Sequence, residues 1–292
     1  MSTILLRKPP EHFKTLPLSV EATPEQLVYQ GLGQPLNFSE MLERRRPVEV
    51  DDPQRFSLEL ANLGVSVRLT LSWQEQDYWV LVRQKRNDRG DEVLKMISGY
   101  VPAQEVGLPL LTAIQEVAEE CLLETPQGWL SGRFGETWLP APYDGSLNYR
   151  ESPTFALSAL SGAARQLYHG SQRLLERPRA YVHLPTASLQ LVYDMRLEVP
   201  GEARQLSLYH VDEYLEEGRL IARLRREQPD LYLIPLEHGQ PRAELLTLAK
   251  GKPQRQDTRD IWLSEGFAAQ QGWVVQAERI RWEEWLAAIA RP

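Results

Sequence analysis

Three carboxylates, Glu116, Glu119 and Glu120, stand at i, i+3 and i+4 within SGYVPAQEVGLPLLTAIQEVAEECLLE, residues 98–124. On a helix, residues three and four apart are surface neighbours, so these side chains converge on one point off the axis. Left alone, the three charges repel one another. With Mg²⁺ or Mn²⁺ between them the crowding becomes useful, because hard cations take oxygen ligands and Mg²⁺ is held by a few carboxylates plus substrate phosphates. Gly99, just upstream, lets the backbone come close to the same ion or to a phosphate. The alternative is an ordinary solvated acidic face, and E-x-x-E-E alone does not choose between the two.

Other chemistries find no support in the residues. There is no G-x-S-x-G, no H-E-x-x-H, no G-x-x-x-x-G-K-[ST] and no G-x-G-x-x-G after a strand. His12, His169, His183, His210 and His238 are scattered without a metal-spaced pair and read as structural or surface groups. The one cysteine, Cys121, lies on the apolar arc of its helix and reads as packing. It leaves no partner for an intrachain disulfide.

The elements expected to position the carboxylates are legible. Leu110, Leu111, Ile114, Val117 and Cys121 follow helical spacing, with Pro109 suited to the first turn, so a helix is predicted over 110–124. FSLEL, VSVRLTLSW and YWVLVRQKR read as strands, with WQEQD turning a hairpin over 65–86. NDRGDE is a second turn, and VLKMI is a short strand leading into Gly99. Downstream, AYVHL, SLQLVYDMRLEV, QLSLYHV and DLYLIPL are predicted strands, while 161–176, 212–227 and the tail AERIRWEEWLAAIA are predicted helices. Residues 1–55 read as an irregular arm with short helices near 24–29 and 37–45.

Composition bounds the rest. The chain has 292 residues, 42% of them hydrophobic, with eight Trp, which is enough for a substantial core. A formal charge of −7 disfavours non-specific nucleic-acid binding. No stretch approaches a membrane span, and the start MSTILLRKPPEHFK is too short an apolar run for a secretion signal. The expectation is a soluble, cytoplasmic protein with a mixed α/β (α+β) core, divided as an extension over 1–55, a main domain over 56–240 with an insertion about 126–178, and a second extension over 241–292.

The stretch from Gly99 resembles the Nudix box, the signature G-x5-E-x7-R-E-U-x-E-E-x-G-U of the Nudix hydrolases, where U is bulky and apolar. Gly99 followed by five residues and Glu105 matches its first part, and QEVAEECLL, residues 115–123, its second. Glu116, Glu119 and Glu120 fall on the three helix glutamates, and Val117 and Leu123 on the apolar positions. YWVLVRQKR and VLKMISGYV resemble the strand pair leading into the glycine turn. The chain departs from the signature in three places. Nine residues rather than seven separate Glu105 from Gln115, Gln115 stands for the arginine, and Leu122 for the glycine.

The resemblance implies a Nudix-like α/β/α sandwich with a mixed sheet and terminal additions. It implies a Mg²⁺- (or Mn²⁺-) dependent hydrolase cleaving the pyrophosphate of a nucleoside diphosphate linked to another moiety. Gly99, Glu116, Glu119 and Glu120 would hold the metal, and Glu119 and Glu120 would be catalytic. Glu119, Glu136, Glu151 and Glu213 are candidates for the general base. Arg83, Arg86 and Lys95 near the hairpin turn would meet phosphates. The aromatic loop carrying Trp138, Tyr143 and Tyr149 would cover the site, with Tyr143 on the substrate. A nucleotide is the expected partner, with neither nucleic acid nor membrane, and a homodimer through Trp residues of the tail is a further candidate. Two other readings stay open: a weak or inactive Nudix-like module that binds a nucleotide or a protein, and a scaffold on which the glutamates are only surface.

Overall fold

VSVRLTLSW and YWVLVRQKR become the strands Asn62–Trp73 and Gln76–Arg86, paired antiparallel from Leu69↔Val80 to Trp73↔Gln76. Gln74 and Glu75 make the turn at φ +50° and +61°, the left-handed pair that a two-residue hairpin needs. Beyond this turn the hairpin forks. Asp91–Lys95 pairs with the second strand, Val82↔Lys95 to Arg86↔Asp91, whereas Ile97–Tyr100 crosses to the first, Gly64↔Tyr100 to Val67↔Ile97. Ser98 and Gly99 therefore sit in the fork. On its other edge Asn62–Trp73 runs parallel to Ser188–Glu198 through an unbroken register from Ser188↔Asn62 to Glu198↔Ser72.

These strands belong to the computed structural model, which describes residues 2–6, 14–86, 91–161, 165–168, 171–174, 179–216, 219–228 and 230–290. The architecture is mixed α+β, with a large mixed sheet and few helices. Alternation sorts the sheet faces. Leu63, Val65, Val67, Leu69 and Leu71 turn into the main core with Leu189, Leu191 and Met195. Helix α2, Leu110–Glu120, lays the buried side chains of Ala113 and Val117 on that core. Leu18, Val20 and Tyr29 from the N-terminal segment and Trp273 and Val274 from the C-terminal one join it.

Several expectations are corrected. Within 161–176 and 212–227 the described residues pair as antiparallel strands, Arg165–Tyr168 with Ser171–Leu174 and Val211–Glu216 with Arg219–Arg225. Their Leu, Arg and Glu are good helix formers, but intrinsic propensity is a weak preference and strand pairing overrides it. The N-terminal segment is not an irregular arm. It supplies strands Ser2–Leu6, Leu18–Ala22 and Leu27–Gly31, the last where a helix over 24–29 was expected. The expected helix near 37–45 is α1, Phe38–Arg44, opened by a reciprocal cap in which Asn37 Oδ1 accepts from Glu40 N–H and Glu40 Oε2 from Asn37 N–H. Helix α2 stops at Glu120 rather than 124. Cys121 is already extended, and Leu122–Thr125 is a strand paired with Ser207–Tyr209. The tail helix α3 is Trp282–Ile289. It buries Trp282 and Trp285 and leaves Ile289 exposed. With Trp273 buried as well, three of the four tail tryptophans belong to the core, and Trp262 is half-buried.

The opposite face of the parallel pair carries ions. Arg68 donates to both oxygens of Asp194 at 2.7 and 2.9 Å, Ser161 Oγ donates at 2.8 Å, and Arg179 closes the group. Burial would raise the Asp194 pKa, but the hydrogen bonds and charges of Arg68, Ser161 and Arg179 outweigh it and hold the carboxyl below its usual value. A depressed native pKa stabilises the fold above the unfolded value of about 3.9 and loses that contribution as pH falls through the native one. Asp194→Asn is expected to cost about 2–3 kcal/mol at pH 7, a buried-pair loss discounted for the partly exposed Arg68. The difference from wild type narrows below about pH 3.9. Thermal melts of both proteins from pH 7 to 3 check this, and a gap independent of pH would contradict it. Among the described residues no helix is long and apolar enough to cross a membrane.

Candidate functional site

Glu116 sits on the sheet side of α2 with its carboxylate over Gly99. A Cβ placed on Gly99 would lie 1.8 Å from Glu116 Oε1. The space beside the Gly99 Cα is therefore filled by the Glu116 side chain. Glu120, one turn on, reaches the neighbouring residues. Its Oε1 lies 3.4 Å from Lys95 Nζ, which is also 3.0 Å from Ser98 Oγ and 3.3 Å from the Ser98 carbonyl. Glu120 Oε2 is buried without a hydrogen-bond partner. Its main-chain oxygen lies 3.3 Å from His210 Nδ1, which fixes the last turn of the helix. Glu116 is thus brought over Gly99 and Glu120 to Lys95, which also holds Ser98, and Glu119 is half-buried on the same turn.

An orphaned buried oxygen beside a carboxylate in a glycine cradle suits a divalent cation, which would satisfy Glu120 Oε2. Among the described residues no group of three or more His, Cys, Asp or Glu side chains is placed to hold a metal. The fit rests instead on Glu116, Glu120 and the Gly99 backbone, within the habit of Mg²⁺ to take one or two carboxylates plus phosphates. Lys95, only 12% exposed, is the counter-charge at this position.

The other expected residues are distributed differently. Glu105 does not join the cluster. Its Oε2 accepts from Thr112 Oγ1 at 2.6 Å and ties the preceding 3₁₀ turn to the start of α2. Arg83 follows Val82, the register partner of Lys95, and so points to the opposite face. There it lies over Tyr232 and pairs with Asp230 at 3.4 Å. Tyr143 is fully buried with Leu5, Trp129 and Tyr209, so it is a core residue without a surface for substrate. The side chains of Arg86 and Glu213 lie outside the described residues. Gln115, in the place of the box arginine, is exposed, and Glu136 and Glu151 are exposed as well. Burial, and next to it the charge of Glu120, push the Cys121 thiol up to about 12, so it packs as a neutral group.

Behind the fork lies a polar cavity of about 290 Å³ that sequence reasoning missed. Lys95, Ser98 and Gly99 form one side, Gln190 and His183 come from the parallel strand region, and Arg45 and Glu265 come from the two terminal segments. Arg45, just past α1, donates to Tyr100 Oη at 2.6 Å, while its Nε is buried without a partner. These residues are far apart in the chain, so no local spacing announces them. No family model matches the chain, and no curated protein matches it.

Proposed function

We propose that this chain is a divalent-cation-dependent hydrolase of Nudix type that cleaves the pyrophosphate of a nucleoside diphosphate joined to another moiety. The observation that carries the reading is the placement of Glu116 over Gly99 with the orphaned Glu120 Oε2 beside it. In this reading the forked mixed sheet and α2 are two layers of a Nudix-like sandwich. Glu116 and Glu120 would hold Mg²⁺ together with the Gly99 carbonyl. When bound, Mg²⁺ neutralises phosphate charge and acidifies water. Glu119 takes the proton of the attacking water as general base. Lys95 leaves Glu120 for a substrate phosphate, keeping its charge paired throughout. The cavity of about 290 Å³ behind Ser98 and Gly99 receives the polar end of the substrate.

The test is hydrolysis of a panel of nucleotide sugars, ADP-ribose, dinucleotide cofactors, diadenosine polyphosphates and nucleoside triphosphates, with Mg²⁺ and with EDTA. Turnover of at least one compound that EDTA abolishes supports the reading. Tight binding without turnover supports a second one, which the Lys95–Glu120 contact favours: a nucleotide-binding module in which Lys95 permanently supplies the positive charge. Neither binding nor turnover would contradict both.

Gly99→Ala separates chemistry from folding. The three atoms nearest the new Cβ, Oε1, Cδ and Cγ, all belong to the flexible Glu116 side chain, which can swing aside at little cost in stability. The expected result is a 10- to 100-fold loss of Mg²⁺-dependent kcat/KM, the scale seen when metal ligands are misoriented, with the melting temperature nearly unchanged. Unaltered kcat/KM would remove Glu116 from the site.

A further inference from the structure

A cavity of about 420 Å³ opens on the flank of α2 away from the carboxylates. At about 100° per residue, Ala118, which lines it, is roughly 160–200° around the axis from Glu116 and Glu120. The cavity shares no lining residue with the polar one behind the fork. A break in the sheet makes it. Gly128–Phe134 runs parallel to Tyr149–Ser161, yet Leu130 pairs with Arg150 and Gly132 already with Phe155. Two steps on one strand answer five on the other, so the strands part around Ser131 and Glu151, both of which line the cavity. Irregularities of this kind recur beside functional sites.

The walls specify what the opening takes. Cys121, Leu123, Leu130 and Phe155 come from the main core and are at most 5% exposed, while Leu122 comes from the second cluster with Leu5 and Trp129. The cavity thus enters between two apolar clusters, and its volume falls within the range of about 300–1,000 Å³ usual for small-molecule sites. At its mouth stands the exposed Trp138, with the Arg133 guanidinium 3.9 Å from the ring centre. One face of the indole is therefore covered, and the mouth presents a cation there. Among the described residues no carboxylate pairs with Arg133. Glu151 follows Arg150, the partner of Leu130, whereas Arg133 stands three residues further along the same strand as Leu130. At about 3.3 Å per residue the two backbone positions are roughly 10 Å apart, so the cation and the carboxylate mark different ends of the opening. An apolar interior with a guanidinium at one end matches an apolar chain with an anionic head.

We propose that this cavity binds a free, single-chain aliphatic carboxylate of medium length, with the chain between the two clusters and the head on Arg133. The site is independent of the hydrolase reading and of any metal.

The test is isothermal titration of the full chain in EDTA with hexanoate, octanoate and decanoate, and with octanol and benzoate as comparison probes. Each added pair of methylenes is expected to tighten binding about tenfold, close to the limit for complete burial of the chain. Arg133→Gln is expected to weaken octanoate about three- to tenfold, the scale of a partly exposed charged contact, and to leave octanol, which has the same chain and no charge, unchanged. Ala118→Leu, which puts a longer side chain on the cavity-lining turn of α2, is expected to weaken octanoate and octanol alike. Absence of octanoate binding by the folded protein would overturn the proposal. So would an affinity that does not rise with chain length, tighter binding of benzoate than of octanoate, equal losses for octanol and octanoate in Arg133→Gln, or affinities that Ala118→Leu leaves as they were. Because the titration excludes divalent cations, failure of Mg²⁺-dependent turnover leaves its outcome intact.

Discussion

Glu120→Gln is expected to lower Mg²⁺-dependent kcat/KM by at least about 100-fold, at or beyond the upper end of effects seen for groups that orient metal ligands. The substitution keeps the shape of the side chain and removes its charge. In the native protein Oε2 is buried without a partner, and Oε1 faces Lys95 at 3.4 Å. An amide offers the cation one neutral oxygen and presents N–H hydrogens to it, a poor ligand for a hard ion. Lys95 keeps Ser98 Oγ and the Ser98 carbonyl as partners. The fold therefore survives with a lower melting temperature, which circular dichroism would establish alongside the kinetics. The loss should appear mainly in kcat at saturating substrate, because the group acts on the reacting phosphate rather than on the remote end. Activity within threefold of wild type would remove Glu120 from the chemistry.

Trp273→Ala is expected to destabilise the protein by about 3–5 kcal/mol, the range for truncating a large buried aromatic side chain. Trp273 is fully buried, and its indole N–H donates to the Thr23 carbonyl at 2.7 Å. Its backbone N–H donates to Pro53 O at 2.9 Å, and its carbonyl accepts from Val182 N–H at 2.8 Å. The preceding Gly272 holds φ +55°, where a Cβ would lie 2.4 Å from Pro53 O. One residue thus joins the tail, the N-terminal segment and the central sheet, and truncation leaves both a cavity and an unpaired carbonyl at Thr23. Urea unfolding should show a lower midpoint with an unchanged slope. A change below about 1 kcal/mol would mean that the tail is not anchored through this side chain.

Local order was legible where one residue pattern decided it. The alternation in VSVRLTLSW and YWVLVRQKR predicted a hairpin, and the polar turn between them fell at Gln74 and Glu75. Pro109 and the apolar spacing that follows marked the start of α2. Its end was not legible. Leu122 gave no glycine stop, yet the chain leaves the helix at Cys121 because Leu122–Thr125 gains backbone partners in Ser207–Tyr209, which no local signal foretold. Arg165–Tyr168 and Ser171–Leu174, and likewise Val211–Glu216 and Arg219–Arg225, carry helix-favouring residues and still pair as strands. The parallel register joining Asn62 to Ser188 crosses more than a hundred residues, beyond the reach of periodicity.

The carboxylate pair shows the same division. Spacing predicted that Glu116 and Glu120 share one face; Glu116 lies over Gly99, and Glu120 meets Lys95, which also holds Ser98. That Lys95 would be the counter-charge, that Arg83 would turn away and that Tyr143 would be core depended on strand register and burial. The polar cavity drew Arg45 and Glu265 from opposite ends of the chain, which only tertiary packing can do.

The most direct measurement is anomalous scattering from crystals soaked in Mn²⁺. The expected result is a peak about 2.0–2.3 Å from Glu120 Oε2, close to a Glu116 oxygen and the Gly99 carbonyl, with the Lys95 ammonium moved away. A Lys95 that stays on Glu120 at saturating Mn²⁺, with no peak between the two carboxylates, would contradict the cation site and the hydrolase built on it.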